Sequence, residues 1–280
     1  MTRWRTARRL TGFCLLASSL LVLATAAARA GGFEDAQGRG RLAIGVRTDY
    51  PPFAFIDGES RNAGFEIDVA RFVALRLMGS ENRVRLVPLA PWQRLDALAD
   101  RRVDLVIASL AMTEQRRSQV LFTEPYYASG VGLLTRKDSP LKAWAELRQR
   151  KVCTIEGAGY EEQLAGLGIE LMRFPATPAA FKALRDGACE GLAYDDSGLA
   201  ARLADPEWGS DFHLPAPPLA VMPWAIGLRR DDQAFKALLD PILQDMEASG
   251  YIVALEAKWR LPASAYARDR QVKAKKPPGK

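Results

Sequence analysis

Strands and helices alternate along this chain, and the alternation limits its fold more than any other feature. In the first half, three apolar segments with strand character lie at residues 42–47, 83–88 and 103–108. Segments with helical spacing of their apolar residues, 67–78 and 92–99, separate them. A β-α-β-α-β order favours a parallel sheet with helices on both of its faces. The predicted fold class is therefore α/β.

The second half repeats the alternation after a connecting strand at residues 131–135. Its predicted elements are helices at 141–148, 160–167, 177–186 and 197–203 and strands at 152–155, 171–174 and 192–194. A strand at 225–229 and helices over 233–259, broken at Gly250, are predicted to return to the first lobe. Two sheets joined by two crossings form a hinged pair of lobes. Ligands of such sheets lie beyond the carboxyl ends of the strands.

The expected domain boundaries follow from this order of elements. Residues 31–128 are predicted to form the first part of lobe 1 and residues 129–218 to form lobe 2. Residues 219–267 are predicted to complete lobe 1.

The N-terminus has the pattern of a signal peptide. Four arginines within the first nine residues precede an apolar stretch at 10–28, and Ala28-Arg29-Ala30 matches an A-x-A cleavage site. We expect residues 1–30 to be removed after Ala30 and the mature chain to be periplasmic. A membrane anchor is the alternative interpretation, because the apolar stretch approaches spanning length.

The net charge of +6 comes from the two ends of the chain. Residues 1–30 and residues 268–280 each carry +5, which leaves −4 for the part between them. The basic pI of the whole chain therefore does not indicate binding to nucleic acid. The Lys- and Pro-rich composition of residues 268–280 predicts a basic, disordered tail.

Two cysteines, Cys153 and Cys189, remain in the predicted mature chain. An exported chain meets an oxidising compartment, so we expect these two residues to form a disulfide bond. Two separate buried thiols are the alternative.

The segment from Asp104 to Tyr127, DLVIASLAMTEQRRSQVLFTEPYY, carries the strongest functional signal. An apolar run at 105–108 predicts a buried strand, Thr113 after it can cap a short helix, and residues 122–127 predict a second strand. Arg116 then lies near the carboxyl end of a strand, close to unpaired backbone N–H groups, which is a favourable place for a carboxylate. The alternative for Arg116 is a surface ion pair with Glu114, which contributes little to stability.

This segment resembles the signature of the family 3 extracellular solute-binding proteins, which deliver amino acids to ABC importers. The resemblance covers nearly all of residues 40–262. It implies a two-lobed periplasmic-binding-protein clamshell of type II, each lobe a mostly parallel sheet flanked by helices. It also implies that Arg116, the arginine of T-x-x-R, binds the α-carboxylate of the ligand in a bidentate pair.

Further residues of the first lobe match motifs of that family. The segment TDYPPFAF at 48–55 resembles its opening motif, which implies that Tyr50 stacks on the ligand. Trp92 falls where the family often has a second aromatic wall, and Ser109 where a hydroxyl or carbonyl group meets the ligand. Core packing is the alternative for both aromatic residues.

Two segments of the second lobe also match. The run CTIEGAGYEE resembles the family's G-T-T-x-E turn, although Ala158 and Gly159 replace its threonines. Backbone N–H groups there, that of Gly159 included, can still hold a carboxylate oxygen. In CEGLAYDDSGLAA, Asp195 falls on the acidic position that holds the ligand's α-ammonium, and Asp196 is expected to cap the next helix; the two aspartates can also exchange roles. The positions of both cysteines fit the same branch of the family.

The predicted function is therefore capture of a small amino acid-like ligand for the transmembrane subunits of an ABC permease. We expect a monomer without cofactor, metal or nucleic acid. The chain has a single histidine, His213, and none of the common hydrolase or HExxH metal motifs. The side-chain selectivity stays open, because Asp49, Glu66 and Glu161 can favour a cationic ligand or face solvent.

Two other functions remain as alternatives. One is a periplasmic accessory or sensory role, for example beside a quinoprotein dehydrogenase. The other is a lyase similar to the cyclohexadienyl dehydratases, with Glu156, Glu161 or Glu162 as the acid–base group.

Overall fold

The computed structural model describes residues 31–275. The strands are β1 (Leu42–Val46), β2 (Asp49–Tyr50), β3 (Ala54–Ile56), β4 (Asn62–Ala63), β5 (Val84–Pro88), β6 (Leu105–Val106), β7 (Val120–Arg136), β8 (Lys151–Ile155), β9 (Glu170–Phe174), β10 (Gly191–Asp195), β11 (Phe212–His213) and β12 (Val221–Arg229). The helices are α1 (Gly32–Arg39), α2 (Phe65–Met78), α3 (Arg94–Ala99), α4 (Glu114–Arg117), α5 (Glu161–Gly166), α6 (Thr177–Arg185), α7 (Asp196–Leu203), α8 (Pro206–Gly209), α9 (Gln233–Ser249), α10 (Tyr251–Lys258) and α11 (Ala265–Lys275). Single 3₁₀ turns lie at Pro91–Gln93 and Trp144–Leu147.

The main sheet has the strand order β5-β1-β6-β12-β7-β10-β8-β9. Strands β5, β1 and β6 run parallel to one another in the first lobe, and β10, β8 and β9 run parallel in the second. All five residues of β1 are buried, as expected for a parallel strand covered on both faces. The predicted α/β class is confirmed.

Two long strands connect the lobes. Strand β7 pairs with β12 near Leu121 and with β10 near Leu133, so it passes from the first lobe into the second. Strand β12 returns antiparallel to it and ends beside β6. The predicted lobe boundaries, 128/129 and 218/219, lie at or beside this paired segment and stay predictions.

An aromatic cluster fills the first lobe next to the crossing strands. Phe53 lies 5.4 Å from Tyr127 and 5.0 Å from Trp224 between ring centroids, and Phe65 lies 5.3 Å from Tyr127. All four side chains are buried. Aromatic side chains contribute the largest buried areas in protein cores, and tilted or edge-on pairs add to that stabilisation. The cluster therefore packs the loop after β2 against β7 and β12, the two strands that connect the lobes.

The disulfide between Cys153 and Cys189 is present, as predicted. It links β8 to the segment before β10, and the two cysteines are 36 residues apart in the sequence. Replacing both by alanine is expected to lower the free energy of unfolding by about 3–4 kcal/mol, because the unfolded chain gains the freedom of the opened loop. Urea unfolding with and without reductant measures the effect. Reductant should destabilise the natural chain and leave the double variant unchanged; equal midpoints for the natural chain in both conditions contradict the prediction.

Three expectations differ from the structure, and one helix was not foreseen. The helix predicted at 141–148 is only the 3₁₀ turn, and the two strands predicted around residues 122–127 and 131–135 are one strand, β7. Helix α1 was not predicted. The disordered tail predicted from residue 268 is wrong up to Lys275, where α11 is helical; residues 276–280 lie outside the described part, as does the predicted signal peptide.

No helix within residues 31–275 combines the length and the apolar character needed to cross a bilayer.

Candidate functional site

The loops at the carboxyl ends of the strands meet between the two lobes. In the first lobe they carry Arg47 after β1, Ser109 after β6 and Arg116 on α4. In the second lobe they carry Gly157 after β8 and Asp195 at the end of β10. Side chains from one lobe contact the other at several of these positions, so the lobes lie against each other. This is the place where open α/β sheets bind ligands.

Arg116 reaches across the boundary between the lobes. The Thr113 hydroxyl accepts a hydrogen bond from the Arg116 backbone N–H at 3.3 Å, which confirms the predicted helix cap. The guanidinium donates to the carbonyl oxygens of Ala111 at 3.0 Å and of Gly157, in the second lobe, at 2.7 Å. Burial lowers the pKa of Arg116, whereas the charges of Glu161 and Asp195 oppose that shift. Within residues 31–275 no carboxylate forms a salt bridge with it.

Arg94, which the sequence did not single out, lies beside Arg116. Its Nε donates to the Pro91 carbonyl at 2.7 Å, and its Nη1 donates to the carbonyls of Ala108 at 2.6 Å and Ser109 at 2.9 Å. Its Nη2 donates to the same Gly157 oxygen that Arg116 contacts. Burial, followed by the positive charge of Arg116, lowers the pKa of Arg94 to about 9, so the side chain stays charged at neutral pH.

Asp195 is the buried carboxylate on the opposite lobe. Only 7% of its surface is exposed, and it accepts a hydrogen bond from the Tyr50 hydroxyl at 3.0 Å. Burial raises the pKa of Asp195 to about 7, although the Tyr50 hydrogen bond and the charges of Arg47 and Arg94 act in the other direction. No basic side chain of the described residues forms a salt bridge with it. Asp195 therefore lacks a cation of its own.

Tyr50 and Arg47 close the site on the side of Asp195. The Arg47 guanidinium lies 4.5 Å from the centre of the Tyr50 ring and forms a salt bridge with Asp49 at 2.8 Å. It also donates to the hydroxyl groups of Tyr194 and Thr177 in the second lobe. Arg47 is thus already paired with an acid, and it was missing from the sequence-based site.

Ser109 is held by a buried glutamate. Its backbone N–H and its hydroxyl both donate to Glu66, which also accepts from the Tyr126 hydroxyl at 2.6 Å. The φ of Ser109 is +52°, in the left-handed region that few residues other than glycine adopt. This conformation turns the Ser109 carbonyl towards Arg94.

The turn after β8 uses its N–H groups internally. Ala158 and Gly159 donate their backbone N–H groups to the Glu161 carboxylate at 3.0 and 2.6 Å. The acceptor foreseen for these groups was a ligand oxygen. A Cβ on Gly159 would lie 2.7 Å from the Arg116 Nη1 atom, so only glycine permits this approach.

Trp92 lies at the edge of the site, and Asp196 contacts the strand β7. The Trp92 side chain is 48% exposed, and its backbone borders Gly157. The N-cap position of α7 belongs to Asp195, and Asp196 is the first residue of the helix. The Asp196 carboxylate accepts from the Gly130 N–H at 2.8 Å and the Ser129 hydroxyl at 2.7 Å, and so ties α7 to β7. The expectation that Asp196 caps the helix is wrong.

A cleft of about 520 Å³ opens at the Arg116 end of this region, and its lining includes Thr113, Arg116, Gly157, Gly159 and Glu161. Asp195 does not line this cleft; its carboxylate is buried and accepts the hydrogen bond from the Tyr50 hydroxyl.

The chain matches the model of the bacterial extracellular solute-binding proteins, family 3, over residues 42–262. Its sequence is 25% identical over 223 residues to the ABC transporter glutamine-binding protein GlnH of Bacillus subtilis, a match that covers 78% of this chain and 81% of GlnH. It is 32% identical over 208 residues to the putative amino-acid ABC transporter-binding protein YhdW of Escherichia coli K12, covering 69% of this chain and 61% of YhdW.

The structure is similar to the crystal structure of the cysteine-binding protein of Campylobacter jejuni. The TM-score is 0.80 at 24% sequence identity, and the match covers 86% of this chain and 98% of the other. At this identity the likeness shows the fold, and it confirms the predicted two-lobed architecture. The match to the family model over most of the chain shows more: this protein belongs to family 3 of the bacterial extracellular solute-binding proteins.

Proposed function

We propose that the protein captures a free amino acid between its two lobes and presents it to the transmembrane subunits of an ABC importer. One observation carries the proposal. Buried guanidinium groups without an acid partner, on Arg116 and Arg94, lie on one lobe, and a buried carboxylate without a basic partner, Asp195, lies on the other. A zwitterion supplies both missing charges.

In this proposal the ligand's carboxylate pairs with Arg116 and its ammonium pairs with Asp195. Buried charges cost several kcal/mol each unless they are paired, so both contacts gain strength as water leaves the site. Tyr50, Trp92, Ser109 and Gly159 border the two charged ends and are proposed to complete the site. Since each lobe supplies one half, only the closed form makes both contacts, and the ligand therefore shifts the population towards closure.

A thermal-shift screen with the proteinogenic amino acids tests the proposal. A ligand that binds only the folded chain raises the melting temperature in a concentration-dependent way. At least one amino acid should do so. No shift across the whole panel contradicts the assignment.

Closure can be tested at Gly198, on the second-lobe helix α7. A Cβ at this position would lie 2.2 Å from the Tyr50 hydroxyl of the first lobe, so Gly198→Ala is expected to hinder closure and weaken amino acid binding by at least about tenfold. Alanine favours a helix over glycine by about 1 kcal/mol, so the variant should remain folded.

Gly166→Ala, on helix α5 of the same lobe, is the matched control, because a Cβ there meets nothing within 4 Å. Small-angle X-ray scattering should show ligand-induced compaction for the natural chain and the control and less for Gly198→Ala. Equal compaction and affinity in all three proteins exclude the Gly198–Tyr50 contact as part of closure.

Binding should depend on pH through Asp195. The carboxyl group has a pKa of about 7 in the empty protein, and an ammonium group requires its ionised form. Affinity is expected to fall by about tenfold per pH unit below 7, or about 100-fold from pH 8 to pH 5. Because this pKa is raised, Asp195 stabilises the empty fold at acidic pH and that contribution is lost as pH rises to 7. Calorimetry at several pH values measures the affinity, and Asp195→Asn should remove this pH dependence; an unchanged affinity of the natural chain at pH 5 rules out a pKa near 7.

We further propose that the chain is a binding protein without catalytic activity and that it acts as a monomer. Of the three candidate acid–base glutamates, Glu161 accepts the N–H groups of Ala158 and Gly159. Glu156 and Glu162 are exposed to solvent, where a carboxyl group has no buried site in which to act on a substrate. Incubation with prephenate or arogenate should give no product; turnover contradicts this. Light scattering with and without ligand tests the monomer.

The proposed location is outside the cytoplasm. The family description, the disulfide and the A-x-A pattern before Gly31 support it. Mass spectrometry of the protein from a periplasmic extract should find Gly31 at its N-terminus, and a chain retaining residues 1–30 in the membrane fraction contradicts cleavage.

A further inference from the structure

We infer that the captured amino acid is acidic, and that Arg94 binds its second anionic group while Arg116 binds its α-carboxylate. The inference rests on the proposed function and adds the class of ligand to it. It follows from comparing which charged side chains of the site already have partners of opposite charge and which do not.

Both unpaired cations lie on one side of the site. Arg94 is 1% exposed and Arg116 is 7% exposed, and every hydrogen-bond acceptor that they contact within residues 31–275 is a neutral backbone carbonyl. Their Nη2 atoms converge on a single oxygen, that of Gly157. A neutral oxygen compensates two guanidinium charges poorly, whereas carboxylates form shorter and stronger charge-assisted bonds with them.

Three acids near the site, Asp49, Glu66 and Glu161, are by contrast already occupied. Glu114 and Glu162 also line the cleft beside Arg116, but both are exposed to solvent. Asp49 pairs with Arg47 and accepts from the Thr177 N–H at 2.8 Å. Glu66 accepts three bonds from Ser109 and Tyr126. Glu161 accepts from the N–H groups of Ala158 and Gly159. None of the three is left to pair with a basic ligand side chain, and Asp195 is required for the α-ammonium.

Arg94 is also fixed in place. Three of its hydrogen bonds go to carbonyls of its own lobe, at Pro91, Ala108 and Ser109, and they leave Nη2 pointing at the second lobe. A rigid guanidinium loses little side-chain freedom when it binds an anion. A ligand with a neutral amide in its side chain leaves the Arg94 charge uncompensated. A ligand with a basic side chain places a second positive charge beside Arg94.

Calorimetric titration of the natural chain with matched ligand pairs tests the inference. L-Glutamate and L-aspartate are compared with L-glutamine and L-asparagine, which have the same shape without the second charge, and with L-lysine and L-arginine. The better acidic ligand should bind at least about tenfold more tightly than its own amide and than either basic amino acid. Equal or tighter binding of an amide, or of a basic amino acid, overturns the inference while it supports amino acid capture. No binding by any amino acid overturns the proposed function as well.

The variant Arg94→Gln tests whether Arg94 causes the preference for an acidic ligand over its amide. The ratio of acid to amide affinity should fall at least about tenfold, because the charge is gone, and Arg94→Lys should retain part of it. The ratio is informative even if the loss of carbonyl contacts weakens both ligands, since that loss affects them alike. Arg102→Met, an exposed residue shortly after α3, is the control and should keep the full ratio. An unchanged ratio in Arg94→Gln contradicts the role of Arg94.

Discussion

Replacing Arg116 by methionine is expected to weaken amino acid binding by about 100- to 4000-fold. The ligand's carboxylate would enter the closed site without its bidentate partner. An unpaired buried charge costs about 3–5 kcal/mol, and each 1.4 kcal/mol is a factor of ten in affinity. The empty protein should remain folded, because methionine fills a similar volume and removes a buried charge that has no acid partner. Calorimetry and thermal unfolding measure the two effects separately.

Arg117→Met is the matched control for this experiment. Arg117 follows on the same short helix, but its side chain is exposed. Its replacement should leave the affinity within about twofold of the natural chain, as surface substitutions usually do. If both variants lose affinity to a similar extent, the ligand responds to the general positive charge of this region. If Arg116→Met keeps the affinity of the natural chain, Arg116 is not part of the site.

Replacing Asp195 by asparagine is expected to weaken binding by about 30- to 500-fold, because the ammonium group loses its charged partner on the second lobe. Stability should change in the opposite direction. Burial disfavours the charged Asp195, so the neutral amide is expected to leave the empty protein as stable as before, or more stable, above pH 7. A variant that binds poorly and melts no lower than the natural chain separates a ligand-binding role from a structural one.

Asp211→Asn provides the control on the second lobe, since Asp211 is exposed. Its affinity should match that of the natural chain. If Asp195→Asn binds normally, the ammonium group is held elsewhere; if it binds poorly because it is unfolded at the assay temperature, the thermal melt shows this directly.

The fold was largely predictable because its signals are local. A buried strand requires a short apolar run, and a helix with one buried face requires apolar residues at helical spacing. These two patterns predicted the alternation of strands and helices in both lobes. The position of Arg116 was predictable for a related reason. It follows a buried strand and a threonine that caps the helix, and these neighbours in sequence are neighbours in space.

Features that depend on distant partners were missed. Arg94 and Arg47 are ordinary basic residues in the sequence, and their burial depends on carbonyls and hydroxyls that only the assembled lobes bring near. A signal was nevertheless present, since each follows the carboxyl end of a strand in the first lobe. Basic residues at several such positions are a reason to look for an anion.

Two errors in the elements have identifiable physical causes. The sequence predicted two separate strands, around residues 122–127 and at 131–135, yet β7 is continuous over both. It passes through Pro125 because the pairing with β12 is irregular there, at Ala225, where a missing N–H is tolerated. The basic composition of residues 268–275 suggested disorder. Helix α11 instead packs against α9, and Arg270 pairs with Glu247 and Glu124. In both cases contacts with distant parts of the chain override a signal in the local sequence.

The most direct measurement concerns the two ends of the ligand. Once the preferred amino acid is known, calorimetry compares it with its α-carboxamide and with the analogue in which hydrogen replaces the α-ammonium group. If Arg116 and Asp195 hold the opposite ends of a zwitterion, each analogue should bind at least about 30-fold more weakly than the parent. If either analogue binds within about threefold of the parent, the corresponding end is not held by a buried charge, and capture of a zwitterion between Arg116 and Asp195 is excluded.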